Sequence, residues 1–478
     1  MEKEALDAND TKTETSATSV HVTQNKTKTW LRALSAILEI ETHGIEPIPA
    51  ERRTDTRLYE MFFVWFSANL NVLAFSTGTV GPTFFGLGLK DSFAVIVIVD
   101  LFAFLIPAYF GVFGPKLGTR VMVHSRFSFG YLGSIIPSLL NVFTLEGYLV
   151  LNIIIGGQTL ASVSNHLSWD VGIVIIAVLS LFVAFCGYRV VHWYESFAWI
   201  PNVITIIVML GVGGKHLGNA PLSTGASITA IVSFASTLAS TDVSWCTMVL
   251  MHLIGAAFAC AAPSVPVWSA GYEDGNNVGG LLEAVLSSAG GFGKFLTVLV
   301  ALSIPSACAP TMYSFGMSFM NVAPFFAKVP RNVYAIVSTV ILIPLAIVGS
   351  THFYSAFVDL FSIIGYWTGS FSAIVLTEHV VFRRCSFAHY PVSLWVVPRA
   401  LPLGFAATLA FFGSFGIIIP CMSQAWYVGP IAAAGTGDIG IFVAIAAAAL
   451  LYVPLRMLEL RIREDVPSRK QEAETLGA

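Results

Sequence analysis

The sequence predicts an all-α, polytopic membrane protein, and three observations carry that prediction. Hydrophobic residues make up 55% of the 478 positions and charged residues only 11%, with mean hydropathy +0.76. Soluble domains carry roughly 25% charged residues, so this chain cannot dress a core with a water-facing shell. Apolar runs of bilayer-spanning length recur along the chain, and its few basic residues fall almost entirely on alternate loops. The same figures exclude a multidomain cytosolic enzyme. A net charge of -3 with no broad basic surface excludes a nucleic-acid binder. Cys186, Cys246, Cys260, Cys308, Cys385 and Cys421 show no paired spacing, so neither a disulfide framework nor a zinc site is implied.

Residues 1–60 are rich in Thr, Ser, Lys and Glu without an apolar stripe, and are expected to form a disordered tail. No signal peptide is expected, because no apolar stretch follows the first charges. The sequons at Asn9 and Asn25 matter only if that tail faces outside. The membrane domain is expected over residues 61–456, and residues 457–478 form a second polar tail. Ten spans are expected at 61–82, 93–113, 135–163, 171–188, 197–213, 295–320, 332–350, 357–377, 401–420 and 437–455. An eleventh apolar stretch, 228–262, is ambiguous.

Lys and Arg set the orientation. Lys3, Lys12, Lys26, Lys28, Arg32, Arg52, Arg53 and Arg57 put the N-terminal tail inside. Lys116, Arg120, Arg126, Arg189, Lys328, Arg331, Arg383, Arg384, Arg399 and the C-terminal tail then also belong inside. Of the 25 basic residues only Lys90, Lys215 and Lys294 fall outside, with Glu273, Asp274 and Glu283 in an acidic outer loop. Parity requires 228–262 to cross twice. Two spans and a turn need about 40–45 residues, more than this stretch holds. Either one span is re-entrant or a piece is missing.

Ionisable groups inside spans are functional candidates by default. Asp242 and Glu146 are the candidates for proton coupling, with Asp100 and Asp359 as further embedded carboxylates. A carboxylate enclosed by apolar walls can carry a proton near neutral pH. The alternative is a carboxylate bonded to a neighbouring helix with no transport role. Phe75-Ser76-Thr77-Gly78-Thr79-Val80-Gly81-Pro82 is a poor sequence for a continuous helix and predicts a broken first span. Ser233 to Asp242, five spans later, is again hydroxyl-rich. This pairing suggests inverted repeats with a site between them, although small residues also serve close helix packing. Tyr148 and Asn152 share a helical face, where an aromatic ring and an amide suit a flat heterocycle. An ordinary interhelical amide bond is the plainer reading. Trp245 could supply the opposite stacking surface or be an interfacial anchor.

Other signals fail. Gly290-Gly291-Phe292-Gly293-Lys294 lacks the first glycine and the final hydroxyl of a phosphate loop. The ten histidines show no metal-binding spacing, and no cofactor motif, hydrolase triad or nucleotide motif is present. No enzyme activity is expected.

Several motifs together resemble the fungal purine–cytosine permease branch of the nucleobase–cation symporters. They are Gly44-Ile45-Glu46, Glu51-Arg52-Arg53-Thr54-Asp55, Trp65 to Asn71, Phe113-Gly114-Pro115-Lys116, Ser125 to Tyr131, Asn152 to Gln158, Ile363 to Trp367, Glu378-His379 with Arg383-Arg384, and Trp426 to Pro430. The resemblance covers residues 44–460. It implies a twelve-helix fold of the LeuT type, with eleven to twelve helices here because the sixth and seventh are shortened. It also implies cytosolic termini, a plasma-membrane location, and proton-driven uptake of purine- or cytosine-like heterocycles. The substrate site it implies is Ser76, Tyr148, Asn152 and Trp245. Where the family carries an Asn pair in its eighth helix, this chain has Ala307 and Cys308, which opens the alternative of a vitamin-like heterocycle. Between Met248 and Val249 about 25–30 family residues are absent, in agreement with the parity argument. The other functional class open at this point is a transport-incompetent relative, whether a sensor or a mis-spliced product.

Overall fold

Apolar runs with no water to serve their backbone must satisfy every N–H and C=O internally, and here they do so as helices. The computed structural model describes residues 44–464 apart from 54–57, 165, 187, 245–248 and 274–275. The first span is split into α1 (Leu58–Asn69) and α2 (Val72–Phe84). It is followed by α3 (Leu89–Ala103), α4 (Leu105–Leu117), α5 (Val121–His124), α6 (Arg126–Gly133), α7 (Ile135–Ala161), α8 (Trp169–Phe185) and α9 (Tyr188–Leu217). The ambiguous stretch becomes α10 (Ile228–Ser244) and α11 (Val249–Ala261), and α12 (Pro266–Tyr272) and α13 (Val278–Leu286) lie beyond it. The remaining helices are α14 (Gly290–Ser303), α15 (Pro305–Val322), α16 (Arg331–Gly349), α17 (Phe353–Thr377), α18 (Phe405–Ile418) and α19 (Gly440–Glu464). A two-residue β-ribbon, β1 (Ser423–Gln424) and β2 (Tyr427–Val428), links the last two.

Among the described residues six helical stretches are long and apolar enough to cross a membrane: 89–117, 135–161, 193–217, 291–322, 332–382 and 440–463. Four apolar helices are shorter, and α11 with α12 forms a pair bent by 114°. The centre of the fold is α7, which packs against α8, α13, α15 and α16 and buries most of its length.

Two polar devices hold the periphery. The Arg53 guanidinium donates to the carbonyls of Ile48 (2.8 Å), Lys116 (2.7 Å) and Leu117 (2.9 Å), capping the carbonyl end of α4 with the N-terminal segment. On α19, Arg456 makes a two-pronged bond to Glu378 (3.0 and 3.1 Å). Glu459 accepts from the Gly404 and Ala406 amides at 3.0 and 3.2 Å, placing a carboxylate at the start of α18.

The break in the first span lies earlier than its composition predicts. Phe75–Pro82 is continuous α2, and the interruption falls at Leu70 and Asn71. Asn71 is extended (φ -135°, ψ 173°) and caps α2 by accepting from the Ala74 amide at 2.9 Å. Gly78 and Gly255 serve the close approach of α2 to α11. A Cβ on Gly78 would sit 1.9 Å from the His252 carbonyl oxygen, and one on Gly255 would sit 2.0 Å from that of Phe75. Pro82 falls in the last turn of α2 and supplies no N–H to the helix there.

Among the described residues of the stretch 228–262, the outer ends of α10 and α11 share one face. Leu89 and Lys90 amides donate to the Pro221 and Leu222 carbonyls just before α10 (both 2.9 Å), and the Cys260 thiol near the end of α11 points at the Leu87 carbonyl. The Asp438 amide donates to Ser233 Oγ (2.9 Å), which holds the start of α10 beside the same face. A chain that enters and leaves on one side has the same parity as one that crosses twice. The downstream basic loops therefore need no inversion.

Candidate functional site

Breaking a span frees backbone groups that must find partners in an apolar setting. At the first break the freed Leu70 carbonyl accepts from Asn202 Nδ2 (2.6 Å) on α9. Asn202 Oδ1 in turn accepts from Ser303 Oγ (3.0 Å), at the junction between α14 and α15. Two helix interruptions are thus tied together by one amide.

Beside this junction the Tyr148 hydroxyl lies near the side chains of Asn152 and Asn71, with the Cys308 thiol close by. All four residues are buried. Asn152 Nδ2 also donates to the Tyr148 carbonyl at 2.9 Å. The structure therefore joins two predicted residues, Tyr148 and Asn152, to two others: Asn71 at the break and Cys308 on α15. An aromatic face, two amides and the soft thiol can stack a planar ring and hydrogen-bond its edge.

The other predicted residues are placed differently. Ser76 is buried on α2, and its hydroxyl donates to the Leu73 carbonyl of its own helix at 2.8 Å. Glu146 lies on another side of α7 from Tyr148, where its Oε2 accepts from Ser338 Oγ on α16 at 2.7 Å. Its Oε1 has no hydrogen-bond partner. Asp242 is buried at the inner end of α10. Trp245 lies outside the described residues.

Sequence reasoning missed a cavity of about 310 Å³ lined by Asn141, Thr144, Ser314, Ser318 and Thr368, with Arg120 among its walls. Asn141 Nδ2 donates to Ser318 Oγ (2.7 Å), and Thr144 Oγ1 accepts from the Trp367 indole (3.0 Å). A signal was present: Asn141, Thr144, Tyr148 and Asn152 recur at helical spacing, a polar stripe on an otherwise apolar helix. On the opposite side of the site Thr79, Tyr354, Tyr272 and Thr83 form a hydroxyl chain with links of 2.5, 2.5 and 2.9 Å, joining α2, α17 and α12.

A further cluster joins three helices. His252 Nδ1 on α11 lies 2.9 Å from Asp100 Oδ2 on α3. With Asp242 on α10 they form a group whose potential ligand atoms all lie within 4.8 Å of one another. Two of the carboxylates are visible as embedded charges in the sequence. Their meeting with His252 is not, because 152 positions separate His252 from Asp100.

Residues 47–215 match the family described as permeases for cytosine/purines, uracil, thiamine and allantoin. The purine-cytosine permease FcyB of Emericella nidulans is 34% identical over 468 residues, covering 90% of this chain and 91% of the relative. Purine-cytosine permease FCY2 of Saccharomyces cerevisiae is 32% identical, with 90% and 88% covered. Vitamin B6 transporter TPN1 of the same yeast is 28% identical, with 90% of each chain covered. In fold, the inward-facing structure of Mhp1 superposes with TM-score 0.60 at 14% identity, covering 87% of this chain and 93% of that one. The relatives at 34% and 32% identity over 90% of this chain are permeases, which define its class as a polytopic membrane permease. The chain belongs to the purine–cytosine permease family of nucleobase–cation symporters.

Proposed function

We propose that this chain is a secondary active transporter that takes up purine- or cytosine-like heterocycles across the plasma membrane, coupled to protons, by alternating access. The observation that carries the reading is the meeting of Tyr148, Asn152 and Asn71 at the break of the first span, next to a cavity lined by the same stripe of α7. Tyr148 stacks the ring, Asn152 reads its edge, and Ser76 and Trp245 complete the pocket in the family pattern. Family membership supports the substrate class, and a Mhp1 structure with bromovinylhydantoin bound shares the fold at TM-score 0.56. The one-sided placement of Lys and Arg supports cytosolic termini. Asp242 lies within 4.8 Å of two other ionisable groups while Glu146 meets a serine, which favours Asp242 over Glu146 for coupling.

Ala307 and Cys308 are buried where an amide pair is the family pattern. That substitution, with the likeness to a vitamin B6 transporter, makes a vitamin-like heterocycle the alternative substrate. A second reading, a transport-incompetent relative, is favoured by one observation: α10 and α11 return to the face they left.

Uptake of radiolabelled cytosine, adenine, hypoxanthine and pyridoxine in a null strain tests these readings, with and without an uncoupler. Uncoupler-sensitive accumulation of any of them supports the carrier. Absence of uptake by correctly surface-localised protein supports the incompetent relative. Sequencing the transcript across codons 245–252 separates a genuine hairpin from a mis-spliced one.

A further inference from the structure

We propose that Asp100, Asp242 and His252 form a proton-binding site, and that the proton they exchange is the coupling ion of the carrier. This rests on the transporter reading above, and it adds the site's composition and its mechanical link to the substrate helix.

Charge comes first. All three side chains are completely buried. With a neutral imidazole and both carboxylates ionised the cluster holds two negative charges, and an imidazolium still leaves one. Net charge in an apolar interior is expensive, and two carboxylates this close do not both stay ionised without a cation. Two protons bound among the three groups bring the cluster to neutrality. Among the described residues Asp100 Oδ1 and His252 Nε2 have no hydrogen-bond partner, so acceptor and donor capacity is left for that exchange.

His252 Nδ1 and Asp100 Oδ2 stand at 2.9 Å, the length of a direct hydrogen bond, so a proton can lie directly between them.

The surrounding charges do not compete. Helix α2 carries no ionisable side chain, and α10 and α11 carry no charged or imidazole group besides Asp242 and His252. On α3, Lys90 and Asp91 lie more than two turns away at its start. On α4 the titratable groups are Tyr109 and Lys116. Tyr354, Asp359 and Tyr366 of α17 bond elsewhere, to Thr79, the Ala425 amide and Asp438. On α19, Tyr452 and Arg456 bond to Glu378, and Glu459 bonds to the Gly404 amide. On α9, Lys215 is exposed, His216 packs edge-on to Trp268 and Glu195 lies outside the cluster.

The link to substrate is the backbone of His252, which touches Gly78 with no space for a Cβ. A shift of His252 on protonation therefore presses on α2, the helix that carries Ser76 and begins at Asn71. Proton occupancy and the substrate site share one rigid element.

Infrared difference spectroscopy of the purified full chain, titrated through the neutral pH range, reads the proton directly. The expected result is a protonated-carboxyl band that Asp100→Asn and Asp242→Asn each weaken and His252→Gln shifts to a different pH. A titration unchanged in folded samples of all three variants overturns the site. So does calorimetric Zn²⁺ binding that His252→Gln abolishes while no carboxyl band titrates. In vesicles, Asp242→Asn is expected to lower proton-driven accumulation at least about tenfold while exchange of internal for external substrate continues. Accumulation that keeps its dependence on the pH gradient overturns the coupling role. A wild-type chain that titrates but transports nothing overturns the transporter reading and leaves the proton site standing.

Discussion

The two hydroxyl-rich helices of the repeats, α2 and α10, are built alike and used differently. In α2, Ser76 and Thr77 bond to the Leu73 carbonyl; in α10, Ser240 and Thr241 bond to carbonyls four residues back. In both, these hydroxyls bond back into their own helix and favour close packing, while Thr79 on α2 reaches Tyr354 and Ser233 and Ser236 on α10 reach Asp438. The first span, however, breaks at Leu70 and Asn71 and continues through α1 to the far side. The second pair ends its inner run at Ser244 and returns as α11. The comparison teaches that composition marks a helix for close packing, while the chain beyond it determines whether that helix belongs to a crossing or a hairpin.

The largest expected effect comes from separating the two regions. Gly78→Val or Gly255→Val drives a side chain into the facing carbonyl, and loss of monodisperse protein in size-exclusion chromatography is expected. The destabilisation should reach or exceed the about 1–3 kcal/mol of ordinary overpacking. Gly211→Ala, where nothing lies within 4 Å, is the silent control.

Next is the support of the first break. Asn202→Ala strands the buried Leu70 carbonyl and leaves the Ser303 hydroxyl to the Val300 carbonyl of its own helix, and about 1–3 kcal/mol of stability should be lost in a thermal-shift assay. A smaller loss would show that the break, like the hairpin end, needs no such partner.

Acid sensitivity must be apportioned before any is credited to His252. His124 sits between spans, packed against Phe113 at 4.5 Å with neither ring nitrogen hydrogen-bonded. Burial, with added repulsion from Arg383 and His379, pulls its pKa down to about 3. The unfolded chain takes up that proton below about pH 6.5 while the folded one does not. The contribution to stability is therefore complete above about pH 6.5, falls as pH drops toward 3, and is flat below. By pH 5 the loss should be about 2 kcal/mol, and His124→Phe should remove it in a pH-resolved melting series. Whatever acid response persists belongs elsewhere, with the hairpin cluster the first place to look.

The smallest effect is at the cap. Asn71→Ala removes the bond to the Ala74 amide and should lower stability by about 1 kcal/mol. Its effect on substrate affinity should be greater than on stability, because the same amide reaches Tyr148. Uptake kinetics beside the melting temperature separate the two.

Much of the site was legible at helical spacing. Tyr148 and Asn152 are four residues apart, and the stripe continues to Thr144 and Asn141, so local geometry alone puts them on one face. The break of the first span was legible as a region but not as a position. Gly78, Gly81 and Pro82 suggested it at Phe75–Pro82, whereas those glycines answer to a neighbouring backbone and to Phe234. Glu146 and Asp242 are indistinguishable in sequence as embedded carboxylates; only the packing gives one a serine and the other a histidine–aspartate pair.

From the sequence by itself came the solvent, the helical class, the orientation parity and the shortage in 228–262. Each depends on composition or on counting along one chain, which are local and additive properties. The tertiary structure alone decided that the outer ends of α10 and α11 share one face, that the first break lies at Asn71, and that Asp100, Asp242 and His252 meet. Those outcomes depend on contacts between segments far apart in the chain. The hydrophobic effect puts such segments in the bilayer without saying which of them touch.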